Sequence, residues 1–152
     1  KRINNKYFDD LVKKIRSRFK AYLITTKETV PTIESNNEKG VKGLYGFASD
    51  QSPQVKQKTY WSNFMGIEVP VYTGAEMLAK KFDMNIMFMK IKKVKRGFYE
   101  AELELLTNDA KSNPDYEITE IFLRKVEQQI LEAPEFYLWT HKRWKHRNKK
   151  SQ

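Results

Sequence analysis

The sequence predicts an α/β fold, a layered mixed sheet with flanking helices. Amphipathic helices alternate along the chain with short apolar strands, which is the pattern of a layered α/β domain. The 152 residues suffice for one domain with a core, and 39% hydrophobic and 13% aromatic residues exclude a disordered polar chain. The absence of cysteine excludes a disulfide scaffold, a cysteine nucleophile and a thiolate metal site.

The first part of the chain predicts two helices and two strands. Residues 5–20 place five apolar side chains on one helical face: Phe8, Leu11, Val12, Ile15 and Phe19. Residues 21–26 are β-branched and aromatic and predict a strand. A short helix over 31–38 begins at Pro31 and ends at Gly40, and residues 41–48 read as a buried strand.

The second part predicts a loop, one helix and a pair of strands. Residues 54–72 are too apolar for a free linker and predict a packed lid. Thr73 and Glu76 have the spacing of a capping box for a helix that ends near Phe82. Strands follow at 86–91 and 98–106, and the second alternates four core-facing residues with glutamates: Tyr99, Ala101, Leu103 and Leu105.

The end of the chain predicts two further helical segments. A long helix opens at residues 113–115 and stops before Pro134, and residues 136–145 form an aromatic helical segment. The sequence divides into a single α/β domain over residues 1–140 and a basic aromatic tail over 141–152. No apolar run approaches the ~20 residues of a membrane-spanning helix. The first residue is not Met and no signal peptide precedes the first helix, which predicts a processed or truncated piece.

A formal net charge of +10 narrows the classes of partner. Two clusters contain no acid: residues 90–96, and the tail, which holds Lys142, Arg143, Lys145, Arg147, Lys149 and Lys150. Such clusters favour nucleic acid, an anionic membrane surface or an acidic protein, and they also occur as solvated surface. Composition leaves these alternatives open.

Few residues point to chemistry by type and position. His141 and His146 both lie in the basic tail with no acid nearby in sequence, which favours a packing or surface role. Asp50 follows a predicted strand, where α/β domains place ligand groups, although it can equally cap its own turn. Arg16 and Arg18 could clamp an anion or stay solvated. The nucleotide-binding, metalloprotease and serine-hydrolase signatures are absent, and neither a metal site nor a cofactor is predicted.

Four segments together resemble the bacterial lipid A late acyltransferases, the lauroyl and myristoyl transferases. The most specific is residues 133–145, Ala-Pro-Glu-Phe-Tyr-Leu-Trp-Thr-His-Lys-Arg-Trp-Lys, which resembles the closing signature of the family. Residues 16–18 resemble its arginine segment, 46–53 its Asp-bearing turn and 60–79 the stretch that follows.

This resemblance implies a glycerol-phosphate-acyltransferase-like fold, related to the lysophospholipid acyltransferases, and transfer of a fatty acyl chain to a lipid hydroxyl. A His-x4-Asp/Glu dyad acts as the general base in the family. Here His141 and His146 are followed five positions on by His146 and Ser151, so no catalytic residue lies in this chain. Because the family's dyad precedes the arginine segment, we expect an N-terminally truncated C-terminal portion that is inactive alone. The family usually has proline where Phe88 stands, which bears on the acyl pocket.

The resemblance also implies sites and partners. Arg16 or Arg18 would bind acceptor phosphate, and Asp50 with Gln51 would contact the head group or organise the rim. Seven residues would dock a membrane or a carrier protein: Lys92, Lys93, Arg96, Trp139, Lys142, Arg143 and Trp144.

The expected partners are acyl-acyl carrier protein and a lipid A precursor or another anionic lipid. The expected location is the cytoplasmic face of the bacterial inner membrane. An unpaired sheet edge would let the chain self-associate. The alternative is a basic nucleic-acid-binding module without catalysis, although no nucleic acid is expected because RNP-type and helix-turn-helix patterns are missing.

Overall fold

The computed structural model describes residues 3–147 of the chain. It contains two compact units, one up to Tyr45 and one from Gly46 onward. The helices and strands, in chain order, are α1 (Lys6–Arg16), α2 (Thr29–Glu38), β1 (Trp61–Phe64), β2 (Ile67–Pro70), α3 (Gly74–Phe82), β3 (Ile86–Lys95), β4 (Phe98–Thr107), α4 (Glu117–Glu132) and a 3-10 helix (Pro134–Phe136). The predicted α/β class is confirmed.

The strands pair differently from the predicted layered mixed sheet. Within residues 3–147 they form two separate antiparallel hairpins, β1 with β2 and β3 with β4. The physical reason is that the segments predicted as strands at 21–26 and 41–48 form no ladder in the described chain. Without them there is no shared sheet for the hairpins to join.

Helix α1 confirms the first predicted helix but ends earlier, at Arg16. The Asn5 side chain caps it by accepting from the backbone N–H of Phe8 at 3.0 Å. Beyond the helix, Ser17 donates its hydroxyl to the carbonyl of Lys13 at 2.8 Å. The predicted apolar face is exposed at Phe8, Leu11, Ile15 and Phe19. Packing within the described chain therefore does not account for the amphipathic pattern.

Residues 21–26 are not a strand, contrary to the prediction. Thr25 donates both its backbone N–H and its hydroxyl to the Glu28 carboxylate, at 3.0 and 2.6 Å. These bonds make a turn that leads directly into α2, and Tyr22 is 94% exposed. Local side-chain bonds of this kind compete with strand pairing. Helix α2 itself is confirmed but begins at Thr29, two residues before the predicted start at Pro31, with Gly40 at φ +64° just beyond its end.

Residues 41–48, predicted as a buried strand, are irregular and largely exposed; Leu44 is 87% exposed. By contrast, the predicted loop at 54–72 contains the β1–β2 hairpin. Its two-residue turn, Met65 and Gly66, has positive φ at both positions, as a type I′ turn requires. Methionine is uncommon at such a position, so the sequence carried no turn signal there. The prediction that this segment packs is confirmed by buried Phe64 and Val69.

Helix α3 is confirmed, but the capping box is not. Thr73 makes no side-chain cap bond, and Glu76 is buried against α4 instead. Its carboxylate accepts from the backbone N–H of Tyr116 at 2.7 Å, from the backbone N–H of Thr119 at 2.9 Å and from the Thr119 hydroxyl at 2.6 Å. Glu76 thus satisfies free N–H groups at the start of α4 and fixes α3 against it.

The β3–β4 hairpin turns at Gly97, φ +80°, and its two ten-residue strands pair at nine positions. The predicted core face is wrong, because Tyr99, Leu103 and Leu105 are more than half exposed. The buried residue is Phe88, on the opposite face, whose ring meets the edge of Phe122 in α4 at 5.9 Å. Helix α4 covers the glutamate-bearing face, and this decides which side becomes core.

Helix α4 is the confirmed long helix, and it supplies much of the core. Its buried residues include Leu123, Val126 and Ile130, which pack with Phe64, Val69, Val71 and Phe88. The helix predicted over 136–145 is wrong: a single 3-10 turn is followed by further turns up to Arg147. None of the helices described here is long and apolar enough to span a membrane.

Candidate functional site

The turn that carries Asp50 and Gln51 is held by the C-terminal segment. Ser52 and Pro53, which follow them, are buried, whereas Asp50 is half-buried and Gln51 is exposed. The sequence placed this turn at a strand end, but the strand does not form. The turn is instead fixed by contacts with residues about ninety positions further along the chain. Asp50 and Gln51 therefore lie directly before buried Ser52 and Pro53, and Ser52 is bound to the C-terminal segment.

Ser52 is the residue through which these contacts pass. Its backbone N–H donates to Nε2 of His141 at 3.1 Å, and its hydroxyl donates to the carbonyl of Arg143 at 2.9 Å. The same hydroxyl accepts from Nη1 of Arg143 at 3.3 Å. Three hydrogen bonds through Ser52 thus tie the turn to the C-terminal segment.

Arg143 is fully buried, which is rare for an arginine. Its Nη1 also donates to the carbonyl of Pro70 at 2.8 Å, and its guanidinium lies 5.0 Å from the ring centre of Phe64. Burial lowers the pKa of Arg143, and the charges of Tyr137, Asp50 and Tyr72 act in the opposite direction. Because the side chain is enclosed, Arg143 does not fit the docking role predicted for it.

Aromatic rings surround this arrangement. Trp144 donates its indole N–H to the carbonyl of Phe64 at 3.3 Å, and its ring lies 6.1 Å from that of Phe64. Trp139 stacks at 6.3 Å from Trp144 and stays about half exposed. Trp144 is only partly accessible, so of these two predicted docking residues Trp139 is the better placed.

His141 is bound rather than free for proton transfer. Its Nε2 accepts the Ser52 N–H, so the neutral ring carries its proton on Nδ1. The ring nitrogen that would accept a proton is thus already hydrogen-bonded to the backbone. This geometry agrees with the packing role expected for His141.

The predicted anion clamp lies in the first unit, whereas Asp50 and Gln51 lie in the second. Arg16 is the last residue of α1, and Arg18 follows two residues later; both are exposed. The Arg18 guanidinium lies 5.6 Å from the ring centre of Phe19. The two guanidinium groups are thus accessible to an anionic ligand.

The predicted docking cations near the β3–β4 turn are exposed. Lys92 donates to the Glu102 carboxylate at 3.2 Å, and this bond is the main cause of its raised pKa. Lys93 lies 5.3 Å from the ring centre of Phe136. Exposed pairs of this kind are weak, so both lysines remain available to an anionic partner, as does Arg96.

Sequence reasoning missed Ser52 and its link to Arg143. Hydrogen bonds between residues 91 positions apart leave no periodic signal in one sequence. The available sign was that both partners lie in segments that resemble the same family. Among the described residues, no group of three or more His, Asp or Glu side chains is placed to hold a metal ion.

The family of the chain follows from its match to a known protein family. Residues 1–146 match the family described as bacterial lipid A biosynthesis acyltransferase. No curated protein matches the chain. The matched range includes the Asp50 turn and the segment, up to Trp144, that holds it. The chain therefore belongs to the bacterial lipid A biosynthesis acyltransferases.

Proposed function

We propose that this chain serves an enzyme that moves a fatty acyl chain from acyl carrier protein to a hydroxyl of a lipid A precursor or a related lipid. The family match over residues 1–146 carries the proposal, because it establishes acyl transfer in lipid A biosynthesis as the setting. The Asp50 turn supports the proposal, because exposed Gln51 and half-buried Asp50 precede Ser52, which is hydrogen-bonded to the C-terminal segment. Hydrogen-bonding groups held in this way suit a sugar or phosphate head group.

The reaction exchanges a thioester for an ester. The acceptor oxygen attacks the thioester carbonyl, the C–O bond forms, the C–S bond breaks, and the hydroxyl proton ends on the leaving sulfur. A hydroxyl is a weak nucleophile until a base removes its proton. Neither histidine of this sequence has an acid five positions later. We therefore place the base outside residues 1–152 and expect this chain alone to be inactive.

We assign the predicted acceptor-binding residues of each unit separately. Arg16 and Arg18 present exposed guanidinium groups that match phosphate oxygens in bidentate geometry. Asp50 and Gln51 hydrogen-bond the head group or hold the rim of the site. Loss of the arginines should raise KM for a phosphorylated acceptor, whereas loss of Asp50 should lower kcat.

The test is acyl transfer by the full-length protein, followed by mass spectrometry of the lipid product. Acyl carrier protein loaded with a lauroyl or myristoyl chain is the donor, and a phosphorylated lipid A precursor is the acceptor. We expect Asp50→Asn to lower kcat about a hundredfold. Asp83→Asn, an exposed matched control in the second unit, should match the unsubstituted protein. Transfer by residues 1–152 alone would refute the placement of the base, and no transfer by the full-length protein would refute the function.

We further propose that exposed cations and Trp139 dock the enzyme on the cytoplasmic face of the inner membrane or on acyl carrier protein. Lys92, Lys93 and Arg96 support this, because they are exposed and gathered near one turn. Each basic residue near an anionic lipid surface contributes about 1 kcal/mol. Lys93→Glu with Arg96→Glu should weaken sedimentation with phosphatidylglycerol vesicles, whereas Lys56→Glu with Lys58→Glu should not.

The same titration separates the alternatives. Binding that survives in neutral phosphatidylcholine vesicles would contradict electrostatic docking. Tight binding of a single-stranded oligonucleotide at physiological salt, with a steep salt dependence, would favour the nucleic-acid-binding module instead.

Self-association is proposed from the open strand edges. In the described chain, β3 and β4 each pair on one side only, which leaves N–H and C=O groups along both outer edges. We expect residues 1–152 to dimerise or aggregate as the concentration rises. Sedimentation velocity would show this as a shift to larger species, and a monomer at all concentrations would contradict it.

A further inference from the structure

The guanidinium of Arg143 is hydrogen-bonded through only one of its three nitrogens among the described residues. Its Nη1 donates to the Ser52 hydroxyl and to the Pro70 carbonyl. Its Nε and Nη2 are buried and have no hydrogen-bond partner in the described residues. A buried cation with unmade hydrogen bonds costs free energy, and such groups usually have a partner or a functional role.

The open N–H groups are those that form a bidentate fork. Nε and Nη2 lie on one edge of the planar guanidinium and together match the two oxygens of a carboxylate. Asp50 is the carboxylate whose charge acts on Arg143, and it stands two residues before Ser52, to which Arg143 is bound. The same turn is thus attached to one edge of the guanidinium and carries an acid that suits the other edge.

We propose that Arg143 is a positioning residue for the Asp50–Gln51 turn, and that its Nε and Nη2 pair with the Asp50 carboxylate when the acceptor head group is bound. Nη1 keeps its bonds to Ser52 and Pro70. Arg143 then acts through Asp50 and does not contact the substrate. This inference rests on the proposed role of Asp50 in acyl transfer, but the pairing itself can be measured without activity.

The first experiment observes the guanidinium directly. Full-length protein labelled with 15N-arginine gives an Nε–H resonance for Arg143, which is assigned by its loss in Arg143→Lys. If that variant does not fold, Ser52→Ala should shift the same resonance. We expect the resonance to move when the acceptor lipid is added to the unsubstituted protein and to stay still in Asp50→Asn. Asp83→Asn should behave like the unsubstituted protein.

The second experiment is a double-substitution cycle on acyl transfer. Arg143→Lys keeps the charge but loses the fork, so kcat should fall about ten- to a hundredfold while KM for the acyl donor stays within about twofold. In the Asp50→Asn background the same substitution should cost little further, because both changes remove one interaction. Lys145→Gln, at an exposed position nearby, should leave kcat unchanged.

The outcomes separate this inference from the proposed function. A resonance that moves equally with acceptor in Asp50→Asn means that substrate phosphate binds Arg143 directly, which overturns the pairing. A resonance that never moves, or losses in kcat that multiply in the double variant, overturns it as well. If the resonance behaves as expected and the full-length protein transfers no acyl chain, the pairing stands and the proposed function fails.

Discussion

Both hairpins of the second unit are antiparallel, but they differ in length and in how much of each is buried. The β1–β2 hairpin has four residues in each strand, and Phe64, Val69 and Pro70 are buried. The β3–β4 hairpin has ten residues in each strand, and Phe88 is its one buried residue. The shorter hairpin therefore contributes more to the core than the longer one, although the longer one has the clearer alternation of apolar and charged residues.

The difference lies in the neighbours of each hairpin. The β1–β2 turn region receives the Arg124 side chain on the carbonyl of Asn63 and donates the Met65 N–H to Glu127, both from α4. Trp144, from the C-terminal segment, adds a further contact by donating its indole N–H to the Phe64 carbonyl. The β3–β4 hairpin meets α4 on one face only. Contacts from two segments of the chain, α4 and the segment that carries Trp144, explain the burial better than strand length or pattern.

Truncation of one large side chain in each hairpin tests this comparison and has the largest expected effect. Phe64→Ala should lower the free energy of unfolding by about 3–5 kcal/mol, because it empties a fully buried site. Leu103→Ala should cost less than about 1 kcal/mol, since that side chain is half exposed. Urea unfolding followed by circular dichroism measures both.

Similar losses from the two substitutions would contradict the conclusion that the β1–β2 hairpin contributes more to the core than the β3–β4 hairpin. They would mean that Leu103 is covered in solution, either by a second copy or by another segment. Repeating the unfolding at several protein concentrations distinguishes these cases, because only self-association makes the midpoint depend on concentration.

Substitution of Glu76 tests a buried polar contact, the one between α3 and the start of α4. Glu76→Gln keeps the shape but removes the charge that accepts three hydrogen bonds at the start of α4. We expect a loss of about 2 kcal/mol in unfolding free energy, since hydrogen bonds to charged groups contribute about 1.5–3 kcal/mol. Glu100→Gln on the open hairpin is the matched control and should change little. Equal effects would mean that Glu76 is not a bridge between α3 and α4.

The contrast also shows what the sequence could predict. Sequence-based prediction identified all four α-helices of the described residues, α1 and α4 from apolar periodicity and α2 and α3 from Pro, Gly and capping-box positions, because these are local signals. It failed at 41–48 and chose the wrong face of β4, because burial there depends on which helix arrives. At the site, resemblance pointed to Asp50, but nothing local indicated that Ser52 and Arg143 would meet. Contacts of that range depend on the whole fold.

Tyr60 offers the smallest and most selective test, because it joins the β1–β2 region to α4 through one titrating group. Its hydroxyl donates to Glu120 at 2.9 Å, and its ring stacks on Tyr116 at 4.0 Å. Burial first, and then the hydrogen bond and charge of Glu120, raise the pKa of Tyr60 from 10.0 to about 12. A raised folded-state pKa gives stability that is present below pH 10.0 and lost as pH rises towards 12.

Tyr60→Phe should therefore lower stability by about 1 kcal/mol at neutral pH, the usual worth of one hydrogen bond. The difference from the unsubstituted protein should shrink as the pH rises from 10.0 to about 12, where the unsubstituted protein loses the bond as well. Thermal unfolding across that range measures it, and ultraviolet titration should show one fewer late-ionising tyrosine. Tyr22→Phe, at a position 94% exposed, is the control. A pH-independent difference would mean that Tyr60 contributes through ring stacking alone, and that α4 is joined to this hairpin without the hydrogen bond to Glu120.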